Sequence, residues 1–268
     1  METEKNRIRE IMKNIKVFVL DMDGTIYLGN DLFPYTHTFL DKVKQTSREY
    51  YFFTNNSSKD IDTYIVKLNN MGINITKEQM MVSTHVILRY LKEHYGGKTL
   101  YVVGTPALVN EFKKHGWVIN EENPDIVILG FDTTLTYEKL SKACHFIRNG
   151  ATYFGINPDL NCPMENDTFI PDCGSMAKLI EASTGRYPEF FGKPSKRTLE
   201  YIIKETGHKA DQIAIIGDRL YTDIAVADQS DVTSILVMSG ETKSKDVEKS
   251  EIKPDIMIDN IGVLADLL

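Results

Sequence analysis

Two aspartates stand two residues apart where an apolar run ends: Val17–Leu20 leads into Asp21, Met22, Asp23, Gly24 and Thr25. Residues at that spacing in extended chain point the same way, so both carboxylates can face one small volume. Paired carboxylates at the rim of an apolar core repel unless a cation or a shared proton intervenes. A calcium loop is excluded: counting from Asp21, the turn-glycine position falls on Ile26 and the closing-glutamate position on Leu32. Three more polar clusters follow. Thr54, Asn55, Asn56, Ser57 and Ser58 succeed the apolar run Tyr50–Phe53; Lys193 stands in Gly192-Lys193-Pro194-Ser195, with Pro194 read into the first turn of the next helix; Asp218 and Asp223 succeed Gln212–Ile216. Gathered acidic oxygens suit a hard divalent cation that keeps some of its waters, hence Mg²⁺. Lysine and helix-start amides suit a phosphate. Together they point to phosphoryl transfer, in which charge neutralisation and positioning supply most of the catalysis. Gly97-Lys98-Thr99 is no P-loop, because the first glycine of that motif would fall on Lys92.

The elements that must position these residues are legible as alternating runs. Val17–Leu20, Tyr50–Phe53, Gln212–Ile216, Thr233–Val237 and Asp255–Ile258 read as strands buried on both faces, as in a parallel sheet. Helical spacing appears over Pro34–Thr46, from Ile61 to Leu68, over Thr84–Tyr95 and over Lys196–Glu205. If the strands are parallel, right-handed crossovers bring the polar clusters to one edge of the sheet. From Thr99 an α/β unit of its own begins, with strands at Leu100–Val103, Ile126–Leu129 and Ala151–Phe154 and helices at Ala107–His115, Tyr137–Asn149 and Ser175–Ser183. The stretch Asn157–Gly174, with Pro158, Pro163 and Pro171, reads as a long irregular polar loop. Glu241–Glu251 reads as a solvated charged face. The expected fold is α/β: a doubly wound, Rossmann-like parallel-sheet core (1–97 and 188–268) with a large inserted α/β cap domain (98–187).

The 268 residues suffice for a sizeable core, and 42% apolar with 26% charged residues is the composition of a soluble globular protein. A net charge of −7 argues against nucleic acid or an anionic membrane as the main partner. Residues 1–15 are charged and sparsely apolar, so they read as neither signal peptide nor span; Ile8, Ile11, Met12 and Ile15 fit a short docking helix. Three cysteines, Cys144, Cys162 and Cys173, suit a reducing compartment, and the expected location is cytoplasmic. Neither Cys162 nor Cys173 has the close Cys-x-x-Cys or histidine spacing of a metal pair.

In this order, Asp21-Met22-Asp23-Gly24-Thr25, Thr54-Asn55-Asn56-Ser57-Ser58, Gly192-Lys193-Pro194 and Gly217-Asp218-Arg219-Leu220-Tyr221-Thr222-Asp223 resemble the four motifs of the haloacid-dehalogenase superfamily of phosphohydrolases. The likeness is nearest to its subfamily IIA, the NagD / p-nitrophenylphosphatase branch. It spans Val17 to about Asn260, and within the insert Phe131–Leu140 and Asn157-Pro158-Asp159 are similar to segments of that branch's cap. The resemblance implies Asp21 as nucleophile and Asp23 as general acid and base. It implies Mg²⁺ held by Asp21, the Asp23 carbonyl, Asp218 and, through a water, Asp223. Thr54, Asn55, Asn56 and Lys193 would bind the phosphoryl group. The expected partner is a small phosphorylated metabolite (nucleotide monophosphate, sugar phosphate or phosphoglycolate), with a homodimer allowed. Three rivals are weighed. A dehalogenase needs neither Asp23 nor Asp218; a phosphoaspartate receiver has neither its nucleophile on the first strand nor a large insert; intact Asp21 and Asp23 argue against a non-catalytic phosphometabolite binder. One departure is visible: Ala227-Asp228-Gln229-Ser230 lacks the glycines expected after the fourth motif.

Overall fold

The structure, a computed structural model, describes residues 2–164 and 168–268. By internal contact the chain divides into two compact units: the chain through Thr54 with Lys67–Met81 and Thr198–Leu268, and Asn55–Val66 with Val82–Arg197.

The first unit is built on a six-stranded sheet in the order Ile256–Ile258, Thr233–Val237, Ile213–Gly217, Val17–Leu20, Glu49–Thr54, Met80–Val82. The first five of these strands pair in parallel. Val17–Leu20 and Ile213–Ile216 are buried at every position, as runs covered on both faces must be. From Val17–Leu20 the chain first adds Glu49–Thr54 on one side and returns much later to add Ile213–Gly217 on the other. The Val17–Leu20 strand is therefore the switch point of the sheet, where a crevice opens beyond the strand ends. Helix Thr36–Gln45 covers the sheet with Phe39, Leu40 and Val43, all buried, and Phe39 meets Phe18 edge to face at 5.5 Å between ring centroids. The N-terminal helix Glu2–Met12 buries Ile8 and Met12, and Arg48 ties the turn after it by donating to the carbonyls of Met12 (2.9 Å) and Ile15 (3.0 Å).

The second unit has its own sheet, in the order Glu189–Phe190, Thr152–Gly155, Ile126–Leu129, Leu100–Val103, with every pair parallel. Tyr101, Val127, Phe146, Tyr153 and Ile180 belong to its core, beneath the helices Tyr137–Arg148 and Cys173–Thr184. Helix Pro106–Lys114 starts with Thr105 accepting the Leu108 N–H and proline in its first turn; helix Tyr137–Arg148 starts with Thr136 accepting the Lys139 N–H. Gly185, at φ 71°, ends helix Cys173–Thr184 in the left-handed conformation.

Two local expectations give way. Asn157–Gly174 is not irregular throughout: Asn161–Met164 and Thr168–Pro171 form an antiparallel hairpin. Its strands, Asn-Cys-Pro-Met and Thr-Phe-Ile-Pro, lack apolar alternation, and proline is tolerated in a ribbon whose outer edges need no partner. Residues 165–167 of that stretch lie outside the described residues. Pro194 is not in a helical turn either. The helix begins at Lys196, and Gly192–Ser195 is a turn closed by the Ser195 N–H on the Gly192 carbonyl (2.9 Å). Gln229 shows what the missing glycines do: it holds φ 57°, a left-handed backbone, with a side chain in place.

Candidate active site

Asp21 leaves the central strand with its N–H donated to the carbonyl of Ile216 (2.8 Å), and Asp218 follows directly on that neighbouring strand. Met22 is buried in the core, whereas Asp21 and Asp23 on either side of it are partly exposed, the alternation expected of extended chain. The loop beyond them is pinned from two sides. Ser239 Oγ donates to the Gly24 carbonyl (2.7 Å) and Thr36 Oγ1 to that of Ile26 (2.8 Å). Asp223 is carried by the single helical turn Leu220–Ile224. One carboxylate oxygen each from Asp21, Asp218 and Asp223 lies within 4.8 Å of the other two.

This acidic group is built closely. Asp218 Oδ2 accepts the Glu241 N–H at 2.6 Å, and Asp223 Oδ2 accepts the Arg219 N–H at 3.1 Å. A Cβ on Gly24 or Gly240 would collide with the Asp218 carboxylate, and one on Gly217 with that of Asp223. Asp218 Oδ1 is buried and has no hydrogen-bond partner among the described residues. Burial first, and the neighbouring Asp223 second, push the Asp218 carboxyl above the usual carboxylate range. An orphaned carboxylate oxygen facing two further carboxylates is the donor set of a hard, oxygen-preferring cation, and Mg²⁺ fits it.

Beside this group lies a feature absent from the sequence reading. Glu241 supplies the N–H on Asp218, and its carboxylate pairs with Arg219 (2.9 Å) and accepts from Tyr221 (2.8 Å). The segment read as a solvated face thus begins with a residue, Glu241, that holds an acidic side chain in place. Ser239-Gly240, at the end of the buried strand Thr233–Val237, is the same strand-end signal used for the other clusters.

Thr54, the last residue of its strand, is buried in the first unit. The remaining sequence-selected residues belong to the second unit, where Asn55 and Lys193 are brought together. Asn55 Oδ1 accepts the Lys193 N–H (2.8 Å), while its Nδ2 donates to the Lys193 carbonyl (2.9 Å) and to Asp159 Oδ2 (2.8 Å). Asn157 Nδ2 donates to Asp159 (2.9 Å) and Asp172 (3.0 Å), and Ser83 Oγ donates to the Asn55 carbonyl (2.8 Å). Lys193 is 2% exposed, and Asn55 fixes its backbone at both the N–H and the carbonyl. Asn56 accepts the N–H (3.0 Å) and hydroxyl (2.7 Å) of Ser58, shaping the turn. The helix that follows, Ile61–Asn70, is capped not by the cluster but by Asp60, which accepts the Thr63 N–H (3.0 Å). Asp159 and Asp172 were not selected as site residues from sequence; only the resemblance drew attention to Asn157-Pro158-Asp159.

A haloacid dehalogenase-like hydrolase family model matches residues 18–118, and a HAD-hydrolase-like model matches 190–264. An acid sugar phosphatase of Staphylococcus saprophyticus is 32% identical over 244 residues, covering 91% of this chain and 94% of the relative. The crystal structure of a 4-nitrophenylphosphatase from Thermotoga maritima superposes with a TM-score of 0.92 at 42% identity, covering 96% of this chain and 98% of that one. NagD from E. coli K-12 gives 0.85 at 28% identity, covering 92% and 97%. No helix among the described residues is long and apolar enough to cross a membrane. The chain belongs to the haloacid-dehalogenase-like hydrolases, in the NagD / p-nitrophenylphosphatase branch, and is an enzyme of the phosphatase type.

Proposed function

We propose that this chain is a Mg²⁺-dependent phosphatase that hydrolyses a small phosphorylated metabolite through an aspartyl-phosphate on Asp21. The observation that carries the reading is the close grouping of the partly exposed Asp21 with the buried Asp218 and Asp223, with Asp218 Oδ1 left without a partner among the described residues. In this reading the Asp21 carboxylate attacks phosphorus and the bond to the leaving oxygen breaks, with Asp23 delivering its proton to that oxygen. Asp23, now a carboxylate, takes a proton from the water that attacks phosphorus next. The acyl-phosphate bond then breaks, releasing inorganic phosphate and restoring Asp21. Mg²⁺ would be held by Asp21, the Asp23 carbonyl, Asp218 and, through a water, Asp223, and it supplies the charge neutralisation that lets an anion approach an anion. On the motif resemblance, Thr54, Asn55, Asn56 and Lys193 hold the phosphoryl oxygens, and residues 98–187 form the cap. Among the expected substrates a sugar phosphate is preferred, because a relative covered almost end to end is named an acid sugar phosphatase.

Asp21→Asn tests the reading. The variant keeps the side-chain shape and loses its charge, so its circular dichroism should match wild type while phosphate release from a panel of phosphorylated metabolites disappears. Chelator should abolish the wild-type release. Substantial turnover by Asp21→Asn overturns the assignment of the nucleophile.

A further inference from the structure

A second cluster of metal-competent side chains lies wholly within the second unit and takes no part in the reaction above. Helix Ser83–His94 carries His85; helix Pro106–Lys114 carries Glu111, and His115 caps it one turn beyond Glu111. Glu111 Oε1 lies 3.0 Å from His85 Nε2 and 3.3 Å from His115 Nε2. One ligand atom from each of the three lies within 4.8 Å of the other two. A tetrahedral ion with ligands at ~2.05 Å has ligand–ligand edges of about 3.3 Å. Both edges from Glu111 are close to that spacing.

The carboxylate is divided among three neighbours, the two histidines at one oxygen and Lys114 at the other. Lys114 Nζ lies 3.7 Å from the other oxygen, Oε2, and 3.7 Å from Asp60 Oδ2, so the ammonium and the imidazoles engage different atoms of Glu111. Asp60 is itself committed to the N–H and hydroxyl of Thr63. The side chains of Glu111 and His85 are only 12% and 19% exposed, whereas His115 is 48% exposed. Two ligands are thus fixed by packing while the third faces water, which leaves a path of entry and a fourth corner for a water molecule. Two imidazoles and one carboxylate are a borderline donor set, unlike the all-oxygen set at Asp21, Asp218 and Asp223.

We infer that His85, Glu111 and His115 form a site for a borderline divalent transition-metal ion, Zn²⁺ foremost, separate from the acidic group. Binding uses the lone pair of each Nε2, so the ring proton moves to Nδ1 and the Nε2 contacts with Glu111 are replaced by bonds to the ion.

The test titrates full-length protein with Zn²⁺ in an Asp218→Asn background, which removes the acidic site as a competitor. One equivalent should bind, and His85→Ala, Glu111→Gln and His115→Ala should each weaken it by about tenfold or more. Nitrogen-15 spectra of histidine-labelled wild type give a readout that needs no variant to fold. Zn²⁺ should shift the Nε2 resonances of two histidines and leave their Nδ1 protonated. Made in the wild-type chain, with Asp218 intact, the same three substitutions should leave Mg²⁺-supported phosphatase activity in place. Absence of a bound equivalent, undiminished binding in any of the three variants, or unshifted Nε2 resonances overturns the site.

Discussion

At the scale of single residues, the acidic group depends on groups that carry no charge. Gly240 leaves no room for even one methyl beside the Asp218 carboxylate, and the next N–H, from Glu241, fixes that carboxylate from the same side. Gly240→Ala should therefore displace Asp218 without removing any ligand. Titrating activity with Mg²⁺ should show a midpoint raised by about tenfold or more, with an unchanged circular dichroism spectrum. An unchanged midpoint would mean that Asp218 does not hold the ion. Asp21 and Asp218 were legible in the sequence because each stands at the end of a buried run, and Asp223 because it follows Asp218 by one short turn. Gly240 and Glu241 were not, because a lone Ser-Gly before a charged stretch looks like the start of any surface loop. Asp159 and Asp172 escaped for a related reason: their importance lies in hydrogen bonds to Asn55 and Asn157, across sequence separations that no local pattern encodes.

At the scale of elements, the long buried strands and amphipathic helices were legible because burial on both faces and helical spacing leave unambiguous apolar patterns. The hairpin Asn161–Met164/Thr168–Pro171 was hidden because short, proline-bearing, half-exposed strands leave none. Two predictions belong here. Gln229 adopts a left-handed backbone, which costs a residue with a Cβ roughly 1–2 kcal/mol. Part of that gain is lost to the greater freedom of glycine in the unfolded chain, so Gln229→Gly should stabilise the protein by about 1 kcal/mol in chemical denaturation. Destabilisation would show that the Gln229 side chain contributes more than its backbone costs. The second concerns Asp125, which joins the starts of the paired strands Leu100–Val103 and Ile126–Leu129. The Thr99 N–H (2.8 Å) first and Lys98 (2.9 Å) second hold its carboxyl down at about 2. A carboxyl depressed below its unfolded value of about 3.9 adds stability above that pH, which is lost as pH falls toward the folded value. Asp125→Asn should therefore melt below wild type at pH 6, with the gap narrowing as pH approaches about 2. A gap independent of pH would assign the effect to packing alone.

At the scale of the molecule, the order of strands does what no single motif can. Because Val17–Leu20 lies between strands added early and late, Asp21 and Asp218 end on adjacent strands although nearly two hundred residues separate them in sequence. That adjacency was foreseeable from right-handed crossovers between buried parallel strands. A meeting of Asn55 with Lys193 was expected on the same ground, but not its form, since within the second unit the Asn55 side chain holds the Lys193 N–H and carbonyl, atoms that any residue possesses. The central claim is that Asp21 becomes phosphorylated during turnover, and chemical trapping addresses it most directly. Borohydride added during steady-state hydrolysis reduces an aspartyl-phosphate to homoserine, which mass spectrometry locates in the peptide. The account predicts homoserine at position 21, dependent on substrate and abolished by chelator; turnover without any trapped residue, or homoserine at another aspartate, would contradict it.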